Sequence, residues 1–106
     1  MPTNPSARRV VDTVNELLPD PPVKRKNAIK LRKHREMIMS GCAWEMPVIR
    51  PSFPEIGAAI GISHTTVMIH VKDWQAMPWQ DRYGWLRLVE GRIASESQSL
   101  DAVLCG

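Results

Sequence analysis

The sequence predicts an all-α chain: a small helical bundle of about five helices built around a helix-turn-helix. Three observations carry this. Apolar residues recur at three- and four-residue spacing in separate stretches. Proline and glycine clusters punctuate those stretches. Residues 52–67, Ser-Phe-Pro-Glu-Ile-Gly-Ala-Ala-Ile-Gly-Ile-Ser-His-Thr-Thr-Val, read as two short helices joined by a tight turn.

The first helix is expected over 5–18, with Asn4 as N-cap and Pro5 at the first helical position. Val10, Val11, Val14, Leu17 and Leu18 give it one apolar face. Pro19-Asp20-Pro21-Pro22 cannot continue it. A basic segment over 24–35 follows. Ala28 and Leu31 give it only a weak apolar stripe, so helix, loop and a helix formed on a partner all remain open. A helix is expected from about Arg35 to Met46, where Ile38, Cys42 and Met46 repeat every fourth residue. Gly41 in its middle costs roughly 1 kcal/mol against alanine, which points to close packing there. Trp44 fits either core or surface. Residues 46–51 form a proline-bounded connector, in which Arg50 is placed to approach a phosphate backbone.

The helix-turn-helix is expected over 52–76. Ser52 and Glu55 form an S-x-x-E capping box. Ile56 and Ile60 share a face, and Gly57 between them admits a close neighbour. Gly61 ends the first helix in a left-handed conformation, which costs glycine little. Ser63 caps the second helix, whose inner face is Val67, Val71 and Trp74. A C-terminal helix over 79–94 carries Trp79, Tyr83, Leu86, Val89 and Ile93, with Trp85 and Leu88 alongside. The Ser-rich tail, 95–106, is expected to be frayed or weakly docked.

Composition narrows the function. The chain's 106 residues suit one domain, and 43% hydrophobic with 24% charged residues is ordinary for a globular chain. No apolar run approaches the roughly 20 residues of a membrane span, and Met-Pro-Thr-Asn-Pro lacks a signal-peptide layout. A cytoplasmic location and no membrane partner are expected. Cys42 and Cys105 form no zinc pattern, and His34, His64 and His70 lack metal-ligand spacing, so no metal and no other cofactor are expected. There is no P-loop, nucleophile elbow or H-E-x-x-H motif, and the acids are scattered, so catalytic residues and nucleotide are not expected either.

The charge is local. Lys24, Arg25, Lys26, Lys30, Arg32, Lys33 and Arg35 put +7 into residues 24–35 without one acid, against +3 for the whole chain, leaving −4 for the rest. A concentrated positive segment beside a helix-turn-helix is the footprint of a phosphate-backbone contact. In such motifs the first residues of the second helix meet base edges. Here they are Ser63, His64, Thr65 and Thr66, with hydroxyls, methyls and a ring nitrogen suited to major-groove contacts. The basic residues would hold the backbone or minor groove. The expected partner is double-stranded DNA. A homodimer is also open, because the wide, aromatic-rich stripe of the 79–94 helix suits either a core lid or an interaction surface. The rival function is therefore a protein-interaction or dimerisation module.

Phe53-Pro54-Glu55-Ile56-Gly57 followed by His64-Thr65-Thr66-Val67 resembles the C-terminal DNA-binding domain of the bacterial replication initiator DnaA. Lys33-His34-Arg35-Glu36-Met37-Ile38-Met39 looks like that family's basic loop running into a helix, and Lys24-Arg25-Lys26 like its basic cluster. The likeness covers about residues 8–76. It implies recognition of short duplex elements, with His64, Thr65 and Thr66 in the major groove and Lys33 at the minor-groove position. Arg32 or Arg35 takes that place if the register slips. The chain departs from the family at Ser63, where an acid is usual, and at Ile69, where a histidine is usual. Nothing in the 106 residues corresponds to the initiator's ATPase module. The resemblance implies a stand-alone, bacterial or phage-encoded, nucleoid-associated regulator of replication or transcription.

Overall fold

The computed structural model describes the backbone of residues 6–18, 25–47 and 49–105, with the side chains of all of these except 25–28 and 96–105. Five helices account for it: α1 (Ala7–Leu17), α2 (Arg25–Glu45), α3 (Phe53–Ile60), α4 (His64–Ala76) and α5 (Trp79–Cys105). The chain is the all-α bundle that its periodicity predicts. Among the described residues there is no strand, and no helix is long and apolar enough to cross a membrane.

α1 starts two residues later than expected. Ser6, not Asn4, is its N-cap, and its Oγ accepts from the Arg9 amide at 3.2 Å. Asn4-Pro5 and the 19–22 proline cluster lie outside the described residues. Val10, Val11 and Val14 are buried as their spacing requires.

α2 is the central helix and touches each of the other four. The sequence divided it into a basic segment, 24–35, and a helix, 35–46. The structure has one helix of 21 residues. The reason is that no proline or glycine falls between Arg25 and Ser40, and the Arg, Lys, Ala and Leu residues there favour helix. The apolar stripe is weak because the two halves lie in opposite environments. Residues 29–34 are exposed on every side, whereas 38–43 are all buried, so the first half has no inward face to continue the period of the second. Met46 lies just beyond the helix, half-buried against the core.

The core joins α1, α2, α3, α4 and α5 through Val14, Ile38, Cys42, Ile56, Val67, Trp74 and Val89, all fully buried. Gly41 is close-packed as expected: a methyl group built on it would fall within 3.0 Å of three carbons of the Trp74 indole. The indole Nε1–H donates to Glu45 Oε2 at 2.8 Å, and Arg82 of α5 stands 3.9 Å from the other carboxylate oxygen. One acid thus links α2, α4 and α5. Trp44 is half-buried, with the Arg50 guanidinium 3.7 Å above its ring and Arg50 Nε donating to the Trp44 carbonyl at 3.2 Å. Arg50, which the sequence allows to approach a phosphate backbone, is stacked against its own fold and stays exposed.

α5 differs from expectation twice. Trp79, Tyr83 and Leu88 are 64%, 54% and 58% exposed. The inward line is instead Arg82, Leu86, Val89 and Ile93, because Arg82 takes the core-facing place beside Glu45. The helix also runs through the tail to Cys105. No proline or glycine stands between Arg92 and Cys105 to stop it.

Cys42 supplies a test of the core. Burial pushes its thiol from 9.0 up to about 12, and the Glu45 carboxylate adds to the rise. The folded chain thus keeps a proton that the unfolded chain releases near pH 9. Stability is full below that pH and falls as the pH rises toward 12, by at most about 1.4 kcal/mol per unit from this group. Urea midpoints from pH 8.5 to 11 should fall more steeply for the wild type than for Cys42→Ala. Equal slopes would remove Cys42 from the alkaline response.

Candidate nucleic-acid interface

The turn between α3 and α4 is built from two glycines. Ser52 Oγ accepts from the Glu55 amide at 3.3 Å and starts α3. Gly61 stops it at φ 91°, ψ 31°, and the Gly57 carbonyl accepts from both the Gly61 and Ile62 amides, at 2.7 and 2.9 Å. Gly57 is needed for the turn itself: a Cβ there would stand 2.5 Å from the Ile62 carbonyl oxygen. Ile56 is buried, while Ile60 is only half-buried. Ser63 then caps α4, accepting from the Thr66 amide at 3.3 Å.

α4 has distinct faces. Val67, His70, Val71 and Trp74 are buried. His70, whose role the sequence left open, sits with Nε2 3.2 Å from Glu36 Oε2 and ties α4 to α2. The opposite face is exposed and includes Thr65, Met68, Ile69 and Lys72, neighbours at i+3 and i+4, with Asp73 at its edge one turn beyond Ile69. The four major-groove candidates separate on this geometry. Thr65 is central to the outward face, and His64 is exposed at its flank. Thr66 is half-buried, with its hydroxyl 2.9 Å from that of Ser63. Ser63 and Thr66 are thereby engaged in the cap. Met68 and Lys72 went unnoticed in the sequence, and Ile69 stood out there only as a departure from the resemblance. Counting 100° per residue outward from Val67, Val71 and Trp74 places them beside Thr65.

The basic residues separate too. Lys30, Arg32 and Lys33 are exposed on the projecting half of α2. Arg35 turns to α1, donating to the Asn15 carbonyl at 3.1 Å and to the Asn15 side-chain oxygen. Lys24 and the side chains of Arg25 and Lys26 lie outside the described residues. Contacts fix the direction of α2 against α4: Glu36 meets His70, and Gly41 and Glu45 meet Trp74 further along. The two helices run in the same sense. The exposed cations, N-terminal to Glu36, therefore lie toward the end of the bundle where α4 begins.

An open groove of about 530 Å³ lies elsewhere, between α2 and α5, lined in part by His34, Met77, Trp85 and Leu88. Among the described residues no group of three or more His, Cys, Asp or Glu side chains is arranged to hold a metal ion. Comparison with protein families, with curated proteins and with solved structures finds no match to this chain.

Proposed function

We propose that the chain binds double-stranded DNA in a sequence-specific manner, through α4 in the major groove and the exposed half of α2 against the phosphate backbone or minor groove. The observation that carries this reading is the placement of Lys30, Arg32 and Lys33 toward the end of the bundle where α4 presents His64 and Thr65 outward. Phosphate contacts then set orientation while side chains of α4 read base edges. The likeness of residues 53–57 and 64–67 to the DnaA signature favours a small bacterial or phage regulator of replication or transcription, acting at the nucleoid without a nucleotide.

Binding to a randomised duplex pool, with the recovered DNA sequenced, tests the reading. Lys33→Ala should weaken binding to all duplexes alike and reduce the slope of log K against log salt by about 1. Thr65→Ala should relax preference at one or two positions, at a cost of about 1–3 kcal/mol on the preferred site. Unchanged binding by both variants would remove α4 and α2 from the interface.

A second reading is favoured by the exposure of Trp79, Tyr83 and Leu88 on α5: a dimerisation or protein-interaction surface. Aromatic residues left in water on one helix are enriched at such surfaces. Failure of the chain to retain any duplex would move the function there.

A further inference from the structure

We infer that Met68 and Ile69 form an apolar surface that recognises the C5-methyl groups of thymine, so that the preferred duplex carries thymine where these side chains enter the groove. This rests on the reading of α4 as the major-groove element and specifies its chemistry.

The inward face of α4 is complete without these residues. Val67, Val71 and Trp74 fill the core, and neither Met68 nor Ile69 is among the side chains packed against it. Ile69 is 56% exposed and Met68 39%. Both border Thr65, Ile69 one turn on and Met68 at i+3, and the Thr65 methyl extends the same apolar area. Ile69 has no hydrogen-bonding atom, and the Met68 thioether is only a weak acceptor. Neither can distinguish bases by their donors and acceptors. The thymine methyl is the distinctive apolar group that base pairs present in the major groove, and apolar side chains are its natural partners.

The surroundings favour DNA over an apolar protein as the occupant. Lys72 adjoins Met68 and Ile69 on the exposed face, Asp73 stands at the far edge beyond Ile69, and Lys30, Arg32 and Lys33 lie toward the α4 N-terminal end. An apolar surface on α4, with three exposed cations of α2 toward its N-terminal end, fits an anionic groove that carries methyl groups.

Deoxyuridine tests this directly, since it removes the methyl and leaves the hydrogen-bonding edge unchanged. The best duplex recovered from the randomised pool is remade with each thymine replaced in turn by deoxyuridine. Affinities are measured at fixed salt for the wild type, Ile69→Ala and Met68→Ala. Both substitutions are at exposed positions, so the variants should fold as the wild type does. At least one replacement should weaken wild-type binding about four-fold, the factor for one buried methyl-sized group. Ile69→Ala or Met68→Ala should already be weakened on the thymine duplex and show no further loss on the deoxyuridine one. A recovered motif indifferent to deoxyuridine overturns the inference. So does a pool without an enriched motif, or a deoxyuridine loss that persists undiminished in both variants. Retention of no duplex at all is a separate result: it overturns the DNA reading of α4 itself, and the methyl contact with it.

Discussion

Trp74→Ala should lower the unfolding free energy by about 3–5 kcal/mol, the range for removing a fully buried tryptophan. A domain of this size has only about 5–15 kcal/mol in total, so the variant should be largely unfolded in moderate urea. Two contributions act together. The indole fills the space between α4 and the buried half of α2, and the chain is too closely packed there to close the void. Its Nε1–H also donates to Glu45, and truncation leaves a partly buried carboxylate with one donor fewer. Trp74→Phe keeps much of the volume and loses the donor, so it should fall between wild type and Trp74→Ala. Urea denaturation followed by circular dichroism gives the ordering. An unfolding free energy for Trp74→Ala within about 0.5 kcal/mol of wild type, the range of neutral surface substitutions, would mean that the indole does not hold α4 to α2.

Gly41→Ala should be destabilising, although helix propensity alone predicts the reverse. In an exposed helix interior, alanine is better than glycine by about 1 kcal/mol. Here the new methyl would lie inside the indole ring of Trp74. The ring is fully buried and anchored through its N–H, so α2 and α4 must separate or Trp74 must leave its place. Overpacking of this kind costs about 1–3 kcal/mol and occasionally more. The net effect should be a loss of about 2 kcal/mol. The sign reverses when the ring is gone: in a Trp74→Ala background, Gly41→Ala should stabilise by up to about 1 kcal/mol. The double-mutant cycle therefore yields a coupling of about 3 kcal/mol. Additive effects would show that the glycine is not there to accommodate the indole.

The turn and the core of the helix-turn-helix were legible because each rests on local chemistry. Ser52 and Ser63 cap, Gly61 adopts positive φ, and Val67, Val71 and Trp74 follow a helical period. α2 was only half legible. Residues 29–34 carry no inward face, so a reading by period had nothing to measure there, whereas the repeat of Ile38, Cys42 and Met46 marked the second half as helix. α5 misled for a tertiary reason. Trp79 and Tyr83 continue an apolar pattern, yet Arg82 occupies the inward place because Glu45 awaits it. Within the candidate interface, the positions of His64 and Thr65 could be read from the cap. The use of the Thr66 hydroxyl by Ser63, the His70–Glu36 tie and the Arg35–Asn15 bonds could not, because each depends on a partner that only the three-dimensional packing supplies.

α4 divides its residues almost cleanly between holding the fold and facing outward, and this bears on how the chain can change. Thr65, Met68, Ile69 and Lys72 carry no part of the core, so substitutions there should alter stability by no more than about 0.5 kcal/mol. Val67, His70, Val71 and Trp74 have no such freedom. A lineage carrying this scaffold can therefore change the chemistry of one helical face by single steps, with the folded population held constant throughout. Ile69 sits on that permissive face. The neighbouring His70, one residue along, is fixed in the bundle by Glu36.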